Sequence, residues 1–250
     1  MTAATPFLRP EWHRMTTQAD VLGESPFWHP HEQRLYWVDI PGKRLRRMAV
    51  KADLSQSHAV EDWPLQEEPG CFAPAQQGGW VMALRSGVYR ADQWGGELSL
   101  LAAAPYDTAK LRFNDGKCDP QGRFWAGTMY EPRDQALGVL YVLDTSDSLK
   151  PTLQAKAHGA TIANGLAWSP DQRTLYWTDT TRHCIRAWDW DAQANRLSNE
   201  RVFHQFATKP AGWQPGMPGY GGRPDGAAVD VDGNYWVAMY EGARVLQLSP

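Results

Sequence analysis

Five short aromatic segments recur along this chain at a period too long for a hairpin and close to that of a four-stranded propeller blade. They read LeuTyrTrpValAsp (35–39), TrpValMetAla (80–83), ArgPheTrpAlaGly (123–127), LeuTyrTrpThrAsp (175–179) and AsnTyrTrpValAla (234–238). With Trp37, Val81, Trp125, Trp177 and Trp236 as markers, the intervals are 44, 44, 52 and 59 residues. An apolar stretch and a turn precede each marker. AspProGlnGly (119–122), ProAspGlnArg (170–173) and AspValAspGly (230–233) carry Pro, Asp and Gly where φ is fixed or positive. A third alternating strand follows the marker, as in GlyValLeuTyrValLeu (138–143) and CysIleArgAlaTrpAspTrp (184–190). Helical periodicity is absent. The 13 Trp suit strand faces packed between sheets. The pattern predicts an all-β fold, with residues 1–250 forming one propeller domain.

Counting back from the markers brings out a second regularity. Glu24 lies 13 residues before Trp37, and Asn164 lies 13 before Trp177. Asn114 lies 11 before Trp125, and Asp225 lies 11 before Trp236. The shorter DxxG turn of the latter two blades accounts for the difference. Four oxygen-bearing residues therefore share one slot at the start of the preceding strand. The innermost strand of a blade lines the channel, so this slot converges on the axis. Glycine follows in AsnAspGly (114–116), AsnGly (164–165) and AspGly (225–226), where it lets the backbone pack closely. The second blade has ProGlyCys (69–71) there, without a strong ligand.

Two carboxylates and two carboxamides facing one point suit a hard divalent cation. Without it, Glu24 and Asp225 at about 5 Å and an effective dielectric of about 20 repel by roughly 3 kcal/mol. Any one of these pairs alone reads as an ordinary turn. Four in register across repeats do not.

Other signals are weaker. Asp230, Asp232, Asn234 and Glu241 mimic a calcium loop, but glycine sits at its fourth position (Gly233) rather than its sixth, so the segment reads as a turn. His29 and His31 flank Pro30 in a loop, Cys118 reads as a buried structural thiol, and Asp39 and Asp179 as turn caps. Three widely spaced cysteines offer no disulfide framework, which points to a reducing, cytoplasmic compartment. Met1 to Arg14 has no apolar core of a signal peptide, and no apolar run approaches a membrane span. Lys and Arg number 25 against 28 Asp and Glu, a net charge of -3 without a basic block, so no nucleic-acid or membrane partner is expected.

The stretches GlyGluSerProPheTrp (23–28), ArgPheAsnAspGlyLysCysAspProGlnGlyArgPheTrpAlaGlyThrMet (112–129), AsnGlyLeuAlaTrpSerProAsp (164–171) and ArgProAspGlyAlaAlaValAspValAspGlyAsnTyrTrpValAla (223–238) resemble the SMP-30/gluconolactonase/regucalcin-like family. The resemblance covers the chain from about residue 20 onward. It implies a six-bladed propeller, of which the C-terminal part of the last blade or blades is missing here. It implies a metal-dependent sugar lactonase with Glu24, Asn164 and Asp225 as metal ligands and Asp225 also as general base. Arg112 and Asn114 would contact the substrate, with Glu131 in MetTyrGluPro as the candidate substrate-binding glutamate. The metal would be one divalent ion, calcium first, with Zn, Mn, Fe or Mg as alternatives. Trp213 and Tyr220, in the Gly/Pro-rich stretch 210–224, offer an aromatic face on a lid or a solvated connector. Three other functions compete. One is a non-catalytic binding propeller similar to YWTD repeats. Another is a calcium-binding regulatory protein. The third is a propeller esterase or phosphotriesterase.

Overall fold

The computed structural model describes residues 10–11, 13–50 and 59–250. Most of Met1 to Arg14, read above for a leader, lies outside the described residues. The described residues contain no helix, and so none long and apolar enough to cross a membrane. They form nineteen strands in five antiparallel sheets.

The first sheet holds β1 (Gly23–His29), β2 (Arg34–Asp39), β3 (Arg44–Ala49) and β4 (Val60–Pro64). The second holds β5 (Pro69–Pro74), β6 (Trp80–Leu84), β7 (Gly87–Ala91) and β8 (Ser99–Ala103). The third holds β9 (Leu111–Cys118), β10 (Phe124–Tyr130), β11 (Gly138–Asp144) and β12 (Thr152–Ala160). The fourth holds β13 (Ala163–Trp168), β14 (Thr174–Asp179), β15 (Cys184–Asp191) and β16 (Arg196–Gln205). The fifth has three strands, β17 (Arg223–Val229), β18 (Tyr235–Tyr240) and β19 (Arg244–Leu248). In every sheet the strands pair in chain order, which makes each a meander and each a propeller blade. The blade count is five rather than the six implied by the resemblance. Each aromatic marker supplies the second strand of one sheet, and there are five markers.

Apolar residues of adjoining sheets fill the space between them. Tyr36, Val38, Leu45 and Trp63 of the first sheet pack on Phe72, Trp80 and Met82 of the second. Trp125 and Leu140 of the third meet Leu166, Leu175 and Trp177 of the fourth. Tyr176 and Ile185 of the fourth meet Tyr235, Val237 and Met239 of the fifth. The marker tryptophans also have polar anchors. Nε1 of Trp125 donates to Asp119 (2.9 Å) and Nε1 of Trp236 to Asp230 (2.8 Å), six residues back in each case. Asp119 and Asp230 also accept from backbone amides of their own turns, so one carboxylate closes the turn and holds the indole. The calcium-loop mimic at 230–241 is therefore the turn that the sequence predicts. Asp39 and Asp179, both fully buried, cap loops through Leu22 N (3.1 Å) and Thr161 N (3.0 Å).

The first strand of each sheet is the innermost, and these strands bond to one another between blades. Ser25 Oγ donates to Gly70 O (2.9 Å), Asn114 Nδ2 to Ala163 O (2.9 Å) and Lys117 Nζ to Ala227 O (2.8 Å). All five carry a β-bulge at the slot. Ser25 and Pro26 lie opposite Trp37, Asn114 and Asp115 opposite Gly127, Gly165 and Leu166 opposite Trp177, and Asp225 and Gly226 opposite Ala238. In β5 the extra residue is Gly70. A bulge breaks the two-residue alternation and re-aims side chains.

The bulge needs glycine at two of these places. Gly165 has φ +59°, and a Cβ there would lie 2.4 Å from Tyr235 Oη and 2.9 Å from Asp225 O. A Cβ on Gly116 would meet Trp125 O at 2.3 Å. Gly226 differs from the expectation of close packing: nothing lies within 4 Å of where its Cβ would be, because it faces an open cavity. Replacing Gly165 by Ala should cost about 1–3 kcal/mol in overpacking, with backbone strain added to it. A urea titration reads this as a lower midpoint. An unchanged midpoint would contradict the packing described here.

Candidate active site

Five of the six sequence-predicted residues form one continuous polar chain. Glu131, just after β10, places Oε1 3.7 Å from Arg112 Nε. Arg112 Nη1 donates to Asn114 Oδ1 (2.9 Å) and Phe113 O (2.8 Å). Asn114 Nδ2 donates to Asn164 Oδ1 (3.0 Å). Asn164 Nδ2 donates to Asp225 Oδ1 (2.6 Å) and to Thr180 Oγ1 (2.8 Å). The links are buried: Arg112, Asn114 and Asn164 are 8%, 9% and 4% exposed. Glu24, the sixth, lines a cavity of about 720 Å³ together with Asp225 and Asp115.

The electrostatics follow from burial and from like charges. Glu24 is pushed up to about 8, first by burial, then by the charges of Asp225 and Asp115, with Arg112 opposing. Asp225 is pushed up to about 6, again first by burial and then by Asp115, while Arg223 and the Asn164 hydrogen bond oppose. Burial also lowers the pKa of Arg112 and of Lys117. Burial and like charge together outweigh the opposing Arg112 at Glu24 and the opposing Arg223 and Asn164 at Asp225.

A divalent cation fits this donor set. Glu24 and Asp225 supply two carboxylates whose ionised forms are only partly compensated. Asn164 spends both amide hydrogens on Thr180 and Asp225, and its Oδ1 accepts one hydrogen bond and keeps a second lone pair. Oxygen donors of this kind match Ca²⁺ and related hard ions. Among the described residues, no three His, Cys, Asp or Glu side chains are grouped so as to hold a metal. The predicted set has two carboxylates and an amide.

Residues 22–250 match the model of the SMP-30/Gluconolactonase/LRE-like region. The chain belongs to this family. A 6-deoxy-6-sulfogluconolactonase of Pseudomonas putida is 41% identical over 233 residues, which cover 93% of this chain and 73% of that protein. A regucalcin of Danio rerio is 34% identical over 232 residues, covering 92% of this chain and 71% of that one. A solved structure of a luciferin-regenerating enzyme superposes with a TM-score of 0.78 at 27% identity, covering 92% of this chain and 73% of that chain.

Three features of the candidate site of this SMP-30/gluconolactonase family member escape a reading of slots and spacings. Asp115 is the first. Strand alternation would turn it away from Asn114's side, but the bulge brings it to the cavity, where it raises the pKa of Glu24 and Asp225 and accepts from Leu166 N (3.2 Å). Its place inside AsnAspGly is the sequence signal for it. Tyr235 is the second: fully buried, it donates to Gly165 O (2.6 Å) and holds the bulge beside Asn164. Arg85 is the third. It grips Glu131 through Nη1 (2.9 Å) and Nη2 (3.0 Å), and Glu68 through Nε (3.0 Å). No repeat position signals it.

Some expectations shift. Asn114 has both amide hydrogens committed to Ala163 O and Asn164, so its visible work is to orient Asn164. Trp213 and Tyr220 do not line the cavity. Tyr220 Oη bonds His183 Nε2 (2.7 Å), and Trp213 packs edge-on against Tyr220 at 4.9 Å. Cys118 is half-buried rather than buried, and burial pushes its thiol up to about 11.

Glu24 and Asp225 make a pH prediction. In the metal-free chain the folded state keeps a proton on Glu24 that the unfolded state releases above its ordinary value of 4.5. The folded state binds more protons, so stability falls as pH rises from about 4.5 to about 8, with Asp225 adding to the slope up to about 6. Thermal melts in chelator across that range should show the decline, and Glu24→Gln should flatten it. Stability rising with pH, or an unaltered slope in the variant, would contradict the charge balance.

Proposed function

We propose that this chain hydrolyses a sugar lactone to its open aldonic acid at the inner-strand site, with one divalent ion bound. The observation that carries the reading is the convergence of Glu24 and Asp225 on one cavity, at the end of the polar chain from Glu131 to Asn164. The gluconolactonase family membership and the naming of the Pseudomonas putida relative as a lactonase support it. Glu24, Asn164 and Asp225 would hold the ion, calcium first, which supplies Lewis-acid polarisation of the lactone carbonyl.

Asp225 is the general base. Burial and like charge raise it toward neutrality, which suits a carboxylate that must take a proton from attacking water. Its bond from Asn164 fixes which oxygen faces the water. Arg112 presents a guanidinium beside the site, held in place by Asn114 and Phe113, and binds the ring oxygens or the carboxylate formed on ring opening. Glu131, gripped by Arg85, accepts from a substrate hydroxyl.

The fold in this reading is a six-bladed ring. Trp236, Tyr240 and Val245 of the fifth sheet, 39%, 51% and 49% exposed, form an apolar face opposite the one packed on the fourth sheet. A sixth blade would cover that face and close the channel.

Two measurements test the activity together. Chelator-treated protein should lose hydrolysis of an aldonolactone panel and regain it on addition of Ca²⁺, Zn²⁺, Mn²⁺ or Mg²⁺. Asp225→Ala should lower kcat by at least about 100-fold, the scale of general-base catalysis. Full turnover in chelator, or wild-type turnover by the variant, would refute the proposal. Tight cation binding without turnover of any lactone would favour a calcium-binding role.

A further inference from the structure

Among the described residues, Lys117 is the one cation that lines the cavity of Glu24, Asp115 and Asp225. It stands on β9, three residues past Asn114. The blade does not require a lysine there: at the same register in the fifth sheet Ala228 pairs with Trp236, as Lys117 pairs with Trp125. An ammonium in this place is costly. Burial lowers its pKa, with the charges of Asp115 and Cys71 opposing.

Its hydrogen bond gives the placement a purpose. Nζ donates to Ala227 O at 2.8 Å. Lys117 belongs to the third sheet and Ala227 to the fifth, and the fourth sheet packs against both. Among the described residues, no other side chain hydrogen-bonds the backbone of β17. Ala227 follows the bulge formed by Asp225 and Gly226 and pairs with Val237. The bulge has little else to lean on. Nothing lies within 4 Å of where a Gly226 Cβ would be, and Trp236, Tyr240 and Val245 of the same sheet are exposed. Strand β9 therefore holds Asp225 by two arms. One runs from Asn114 through Asn164 to Asp225 Oδ1 and turns the carboxylate. The other runs from Lys117 to the carbonyl two residues on and fixes the backbone that carries that carboxylate.

The structure assigns Lys117 a positioning role in the hydrolysis: its ammonium anchors the β17 bulge and so sets where the Asp225 carboxylate meets the attacking water. The inference rests on the lactonase reading above. Among the described residues the hydrogen bond of Lys117 goes to Ala227 O alone, so it acts through the backbone and not as a metal ligand or an acid. A general base works within the reach of one hydrogen bond, and a displacement of about 1 Å costs about 100-fold in rate. A tie at the bulge is therefore felt in turnover, whereas substrate binding falls to Arg112 and Glu131 in this reading.

The test pairs steady-state kinetics on an aldonolactone, with metal-saturated full chain, with amide hydrogen exchange of the same chain in chelator. Lys117→Met keeps the length of the side chain and removes the donor. It should lower kcat about 10- to 100-fold with KM within about twofold of wild type. Exchange should quicken in the segment 223–229 and stay as in wild type over 163–168. Lys117→Arg, which keeps a donor, should recover part of both. Lys117→Gln, too short to reach Ala227 O, should behave as Lys117→Met, which separates the lost contact from a packing fault. Wild-type kcat in Lys117→Met would overturn the positioning role even with quicker exchange. A fall in kcat without quicker exchange over 223–229 would overturn the backbone route. Exchange that quickens equally in every sheet would assign Lys117 to the fold at large. A wild type that hydrolyses no lactone would overturn the lactonase reading and the positioning role with it, whereas the other outcomes are read against an active wild type.

Discussion

In the innermost strand of each sheet one extra residue stands outside the hydrogen-bond ladder, and the geometry of the site depends on that bulge. A regular strand sends alternate side chains to opposite faces, so a central channel would receive every second residue at fixed height. The bulge lets Asn114 and Asp115 in β9, and Asp225 and Gly226 in β17, share a single opposing residue. In β1 and β13 the slot residues Glu24 and Asn164 instead pair just before the bulge, with Val38 and Thr178. The backbone accommodates this through positive φ at Ser25 (+49°) and Gly165 (+59°), corresponding positions in the two strands. A non-glycine residue in that region is strained, and Ser25 Oγ bonded to Gly70 O helps to hold it.

The electrostatics of the site are a consequence of that convergence. Carboxylates carried by three separate blades are brought into one cavity, where Asp225 and Asp115 raise the cost of ionising Glu24 and Asp115 that of ionising Asp225. The amides between them are committed to a single orientation, from Ala163 O and Thr180 Oγ1 through Asn164 to Asp225. A site built this way is fixed before any ligand arrives, and a divalent ion would relieve the like charge it gathers. On the same strand, two residues before Asn114, Arg112 is held by Asn114 Oδ1 and Phe113 O.

Much of this was legible in the sequence because a propeller repeats its chemistry as well as its strands. The spacings of Glu24, Asn114, Asn164 and Asp225 from their markers gave one slot in four blades. The turn more than accounts for the difference between spacings of 13 and 11: Trp37 and Trp177 lie opposite bulges that end 11 residues back, at Pro26 and Leu166, whereas Trp125 and Trp236 pair with Lys117 and Ala228, 8 residues back. Register restores one residue: Glu24 and Asn164 pair one residue past their markers, whereas Asn114 and Asp225 lie opposite the residue two past theirs. Asp115 stayed hidden because period-two reasoning turns it away, and a bulge has no composition of its own. In sequence Tyr235 is one more strand residue, because its hydroxyl bond to Gly165 O spans two blades. The loop sequence around Trp213 and Tyr220 carries no sign that His183, on another turn, captures the Tyr220 hydroxyl.

The central claim is that oxygens from blades one, four and five meet around one cation. Calorimetric titration of the chelator-treated chain with Ca²⁺ tests it most directly. The account predicts one site per chain, weakened at least about tenfold by each of Glu24→Gln, Asn164→Ala and Asp225→Asn, the scale seen when a metal site loses a supporting group. Binding that survives all three substitutions unchanged would contradict it.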